Sequence, residues 1–136
     1  MKVLDIYIDG ASKGNPGPAS VGVVICCNGE VVKNISDYIG EATNNVAEYK
    51  ALIYALEEAL ILNAEVLRIR TDSELLFKQI NGKYKVKNEN LKVLFDRAKH
   101  LISAFKKFSI VHIRRNLNKG ADKLANDVFK KKKKAR

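Results

Sequence analysis

The chain has 136 residues, the length of one compact domain, and its 46% hydrophobic content is enough to bury a sizeable core and to exclude a disordered polymer or a repeat array. No apolar run approaches the ~18 residues that a membrane-crossing helix needs. The longest, Ala19 to Cys27, is broken by Ser20 and Gly22, and an N-terminus that meets Asp5 and Asp9 so early is no secretory signal. Lysine and arginine number 25 against 15 acids, a net charge of +10. That excess points to a polyanionic partner, most simply nucleic acid, or else to solubility alone.

In chain order, Val3 to Asp9 alternates in polarity and is rich in β-branched and aromatic residues, which predicts a strand. Gly10 to Pro18 holds three glycines and two prolines and predicts a rigid turn. Val21 to Cys27 reads as a buried strand, Asn28-Gly29 as a hairpin turn, and Glu30 to Ile39 as the returning strand. Thr43 or Asn44 opens a helix to about Leu62, with Ala47, Ala51, Ala55, Leu56 and Ala59 at core-facing intervals. Val66 to Arg70 predicts a fourth strand ending at Thr71-Asp72. Ser73 then caps a short helix that Gly82 stops. A further amphipathic helix spans Asn88 to Phe105, a fifth strand Ser109 to Ile113, and a last helix Ala121 to about Phe129.

Three hairpin-connected antiparallel strands followed by alternating helix and strand predict an α/β fold, a five-stranded mixed sheet with helices on both faces. Residues 1–129 are expected to form the domain. Residues 130–136, with six of the basic residues, are expected to be a flexible tail. The adjacent Cys26 and Cys27 point to opposite faces of a strand, so they read as small buried hydrophobes in a reducing cytosol, and the chain is expected to be cytoplasmic.

In such sheets, functional groups gather at the carboxyl ends of the strands. Asp9 and Asp72 each stand where a strand stops, Glu48 lies in the first turns of the long helix, and Asp122 opens the last one. On parallel neighbours the Asp9 and Asp72 carboxylates would lie roughly 5 Å apart. Like charges that close are costly unless a cation neutralises them, and oxygen donors without a His or Cys cluster select Mg²⁺ or Mn²⁺. Taken singly, each acid also has a plain reading: Asp122 and Asp72 as helix-cap or turn acids, Glu48 as a surface charge, Asp9 as a turn residue. Only the set, placed in one sheet topology, supports the metal reading.

With these residues in view, the sequence resembles type 1 ribonuclease H from Val3 to Val128. The resemblance is carried by Asp9-Gly10-Ala11-Ser12 with Gly14-Asn15-Pro16-Gly17-Pro18, then by Thr43-Asn44-Asn45-Val46-Ala47-Glu48 and Thr71-Asp72-Ser73. Asn81-Gly82-Lys83-Tyr84-Lys85-Val86-Lys87, and Asn118 with Ala121-Asp122-Lys123-Leu124-Ala125, complete it. What the resemblance implies is a ribonuclease H-like fold and an endonuclease that cuts the RNA strand of an RNA–DNA hybrid with two divalent ions, leaving 5′-phosphate and 3′-hydroxyl ends. By the same resemblance Asp9 would bridge both ions, Glu48 and Asp72 would hold one, and Asp122 would help hold the other. Asn15, Asn44 and Asn45 would read the RNA 2′-hydroxyl, Thr43 would touch a DNA-strand phosphate, and Asn118 is counted among the substrate-binding residues. An amide suits a 2′-hydroxyl because both donate and accept. The plain reading of Asn44 or Asn45 is a helix cap.

Several features depart from other members. A loop histidine before the last helix is missing, since His112 falls within a strand and reads as structural. Arg115 is the better candidate near the leaving group, as in short-loop members. Glu74 stands where some members have an amide. The short stretch between Gly82 and Asn88 leaves no room for a basic protrusion, and no hybrid-binding segment is expected before Met1, so the lysine tail either contacts phosphates or only solubilises. No membrane and no obligate protein partner are expected, and the chain is expected to act as a monomer. A fold-sharing binding module without catalysis is disfavoured because all four acids are present. A DNA-directed nuclease such as an integrase or resolvase is disfavoured by the paired Asn44-Asn45.

Overall fold

The computed structural model describes the backbone of residues 1–134 and side chains through Lys130. Five strands form one sheet: β1 (Val3–Ser12), β2 (Gly17–Cys27), β3 (Glu30–Ala42), β4 (Val66–Thr71) and β5 (Lys107–His112), in the order β3-β2-β1-β4-β5. The β1–β2 and β2–β3 pairs are antiparallel, and the β1–β4 and β4–β5 pairs are parallel. The helices are α1 (Asn44–Ile61), α2 (Glu74–Ile80), α3 (Glu89–Ile102) and α4 (Lys119–Lys134), with one 3-10 turn at Arg115–Leu117.

Alternation along the central strands builds the core. Leu4, Ile6 and Ile8 of β1, Val21, Val23 and Ile25 of β2, and Leu67 and Ile69 of β4 are fully buried with Ala51, Leu52, Ala55, Leu56 and Ala59 of α1. Each such leucine, isoleucine or valine contributes about 1.5–3 kcal/mol of transfer free energy. The opposite face is covered by α4, which packs on β2 and β1. There Gly22 carries no side chain, and a Cβ on it would overlap the backbone at Ala121 and Ala125. The mixed sheet with helices on both faces follows the pattern read from the sequence.

Several boundaries differ. The expected turn from Gly10 to Pro18 shrinks to the connection between Ser12 and Gly17, because Gly10, Ala11 and Ser12 pair with Val21, Ser20 and Ala19 of β2. Small residues there are ladder partners rather than breakers. The long β3 reaches Ala42 through irregular register steps at Ala19/Ser20 and Ile25/Cys26. Asn28 and Gly29 take positive φ values of 53° and 80°, as a two-residue hairpin of this type demands. The third helix stops at Ile102, and the last helix runs from Lys119 past the expected end near Phe129 to Lys134. Lysine is a good helix former, and cations suit a helix C-terminus. Of the expected tail, residues 135–136 lie outside the described residues. Cys26 and Cys27 are unbridged and half-buried rather than buried, since they end β2 at its open hairpin. Among the described residues no helix is long and apolar enough to cross a membrane.

Candidate active site

The parallel β1–β4 register ends with Ile8 opposite Thr71, so the next residue on each strand is an acid, Asp9 and Asp72. Two further elements are brought to this point by glycines. A Cβ at Gly10 would overlap the α1 backbone at Ala47 and Glu48, so only glycine lets the first turns of α1 lie against β1 and set Glu48 beside Asp9. Gly22, which pairs with Asp9, gives α4 the same close approach and carries Asp122 in from the other face. Thr43 starts α1 by accepting a hydrogen bond from the Val46 N–H at 3.2 Å.

One carboxylate oxygen each from Asp9, Glu48 and Asp72 lie within 4.8 Å of one another. Asp122 stands outside that trio but lines the same cleft, close enough for its charge to act on Asp9. Asp9 is 5% exposed, and burial together with the charges of Asp72 and Asp122 pushes its carboxyl up to about 8. Burial and the charges of Asp9 and Asp72 push Glu48 well above the carboxylate range. The Glu48 Oε2 atom is buried without a hydrogen-bond partner. A buried acceptor facing like charges is the arrangement a cation relieves, and the all-oxygen donor set fits Mg²⁺ or Mn²⁺. The four acids line an open cleft of about 490 Å³ together with Lys13, Asn44 and Arg115.

The expected substrate contacts fall into two groups. Asn15 Oδ1 accepts from the Asn44 N–H at 3.2 Å, and Asn44 Oδ1 accepts from the Ser12 N–H at 3.2 Å. The cap of α1 is therefore Thr43, and the Asn44 side chain ties the helix to β1 instead. Asn15, Thr43 and Asn45 line a smaller cleft of about 160 Å³ with Asn88 and Asn90. Those last two carry no signal in the sequence beyond a helix start: Asn88 caps α3 by accepting from the Asn90 and Leu91 N–H groups. Asn118 is the exception among the expected contacts. It is 1% exposed and sits behind the acids, so burial removes it from the cleft surface.

Arg115 lies in the 3-10 turn before α4 with Nη2 3.6 Å from Asp122 Oδ1, and its side chain is 82% exposed. His112 closes β5, stacks on Phe77 with ring centroids 6.0 Å apart, and holds Nε2 3.3 Å from the Asp72 carbonyl oxygen. Glu74 pairs with Lys78 at 2.6 Å one turn along α2.

The profile of the reverse transcriptase-like family matches residues 7–128. The chain is 45% identical over 124 residues to ribonuclease HI of Halobacterium salinarum, covering 90% of this chain and 62% of that protein. It spans 36% of the length of three mycobacterial relatives at 42% identity. Among solved structures, the crystal structure of ribonuclease H1 from the same halophilic archaeon superposes with a TM-score of 0.93 at 42% identity, covering 95% of this chain and 98% of that one. A second is LC11 ribonuclease H1, a compost metagenome enzyme solved in complex with an RNA/DNA hybrid. It matches with a TM-score of 0.87 at 43% identity, over 91% of this chain and 94% of that one. Agreement of sequence and backbone across nearly the whole domain has one reading: the chain belongs to the type 1 ribonuclease H family.

Proposed function

We propose that this protein is an endonuclease that hydrolyses the RNA strand of RNA–DNA hybrids by a two-metal-ion mechanism, leaving 5′-phosphate and 3′-hydroxyl ends. The observation that carries this reading is the convergence of Asp9, Glu48 and Asp72 oxygens within 4.8 Å, with a buried Glu48 oxygen left unpartnered. Support also comes from the relative whose solved complex contains an RNA/DNA hybrid.

Asp9, Glu48 and Asp72 would hold one ion, and Asp9 with Asp122 of α4 would help to hold a second. Bound Mg²⁺, or Mn²⁺ in its place, supplies Lewis acidity that activates water and offsets charge on the scissile phosphate. The low exposure of Asp9 keeps its field concentrated, since water screens little there. Arg115, exposed beside Asp122, would offset negative charge near the leaving 3′ oxygen. Asn44 has its Oδ1 taken by Ser12, so its amide N–H groups remain to donate to a 2′-hydroxyl. Asn15 and Asn45 complete that reading on the minor-groove side. The Thr43 hydroxyl accepts from Val46 and keeps its proton for a DNA-strand phosphate.

The test is cleavage of a strand-labelled hybrid beside matched double-stranded RNA and DNA, with and without chelator. Cutting of the RNA strand of the hybrid alone, abolished by chelator and restored by Mg²⁺, is the expected result. Cleavage of duplex DNA, or cleavage that survives chelation, overturns the reading.

A further inference from the structure

Asn118 is fully buried, yet it reaches the frames of three of the four acids. Its Nδ2 donates to the Ile8 carbonyl oxygen at 2.8 Å and to Asp72 Oδ2 at 3.0 Å. Ile8 is the residue before Asp9, and Asp72 follows the last residue of β4, so one amide bridges the two parallel strands where their acids begin. The same residue is anchored from the other side. Its backbone N–H donates to the Arg115 carbonyl at 3.0 Å, and its own carbonyl accepts from the Asp122 N–H at 3.1 Å. The turn that launches α4 is thereby tied to the end of the sheet.

The orientation of this amide is forced. Both of its neighbours at Nδ2 are acceptors, so turning the group over would set an oxygen against a carbonyl and a carboxylate. Both amide hydrogens are spent, and Oδ1 is buried with no partner. The one group not engaged, Oδ1, is buried, and 1% exposure leaves no path from it to a nucleic acid. What the contact does is remove freedom from Asp72. That acid sits on a bend rather than within the strand ladder, where the Asn118 amide meets its carboxylate and the His112 ring its backbone carbonyl. With Oδ2 tethered, the Asp72 carboxylate is fixed beside Asp9 and Glu48, with which it forms the trio.

We propose that Asn118 is a positioning residue that clamps the Asp72 carboxylate to β1 in a metal-ready orientation, and not a substrate contact. This rests on the metal-dependent reading above. Partners behind a metal ligand typically change metal affinity by ~10–100-fold when removed. The experiment is calorimetric titration of the whole protein with Mn²⁺ in the absence of nucleic acid, for the unaltered chain, Asn118→Ala and Asn118→Ser. Beside it, hybrid affinity is measured in chelator and melting temperature in the same buffer.

The expected result is a Mn²⁺ dissociation constant weaker by ~10-fold for Asn118→Ala, with hybrid affinity in chelator within twofold of the unaltered chain. Asn118→Ser keeps one hydroxyl donor and should recover part of the Mn²⁺ affinity; it also serves if the alanine variant does not fold. Activity lost by either variant at low Mn²⁺ should return at saturating Mn²⁺. Unchanged Mn²⁺ affinity in folded variants overturns the proposal and leaves Asn118 a purely structural residue. Weakened hybrid binding in chelator overturns it in favour of a substrate contact. Failure of the unaltered chain to bind Mn²⁺ is a different outcome, which removes the metal reading itself and this inference with it.

Discussion

Replacing Asp9 by Asn should make the metal-free protein more stable while abolishing cleavage. In the metal-free fold the Asp9 carboxyl is pushed up from 3.8 to about 8, so at pH 7 it is protonated when folded and ionised when unfolded. Between those values the fold binds the extra proton, so this group's contribution to stability falls as pH rises from 4 towards 8. At ~1.4 kcal/mol per pH unit, the roughly three units between 3.8 and 7 amount to at most about 4 kcal/mol. The neutral amide removes that penalty but sets a less well matched polar group in the buried cluster, at a cost of ~1–2 kcal/mol. A net gain of about 2 kcal/mol, or roughly 6–10 °C in Tm for a domain of this size, is therefore expected at pH 7 in chelator. At pH 4 the unfolded acid is itself largely protonated and the gain should shrink below about 1 kcal/mol. Thermal melts of both proteins in chelator at pH 4, 5.5 and 7 measure it. Adding Mg²⁺ at pH 7 should raise the Tm of the unaltered protein and do much less for the variant. A Tm difference that is absent, or that does not change with pH, refutes the electrostatic account of the site. Near-normal turnover by the variant refutes the catalytic one.

Arg115→Ala should lower turnover by ~10-fold or more with little change in Tm, since an exposed guanidinium beside Asp122 offsets charge rather than packing. His112→Ala should mainly lower Tm, because the ring stacks on Phe77; steady-state kinetics and melts of the two variants side by side decide, and an activity loss that follows His112 instead would reverse the assignment. Gly10→Ala should destabilise by ~3 kcal/mol in urea denaturation and remove activity, because the added methyl overlaps the α1 backbone that carries Glu48. Deleting residues 130–136 should raise KM for long hybrids with kcat nearly intact. It should also flatten log affinity against log salt by ~2, at ~0.9 for each phosphate no longer neutralised. An unchanged slope in a metal-free salt series would mean that these lysines only solubilise.

Local chemistry was enough to place the strands, the Asn28-Gly29 hairpin, the Ser73 cap and the buried stripe of α1, because periodicity and turn residues act within a few positions. It was also enough to single out Asp9 and Asp72, since a strand end is a local event. What it could not decide was distance. That Glu48 meets Asp9 depends on Gly10 admitting the α1 backbone, and that Asp122 joins them depends on Gly22 admitting α4. Both are contacts between elements far apart in the chain, and a glycine read alone says only that a turn is permitted. The same blindness produced the over-long turn from Gly10 to Pro18, where pairing with β2 overrides local preference. Nor could it see the partners of Asn118, which the resemblance counts among the substrate contacts: only the packing of α4 against the sheet end shows its amide donating to Ile8 and Asp72. Residue type and spacing thus name the reacting groups, whereas burial and partners, which belong to the whole fold, determine what each of them is still free to do.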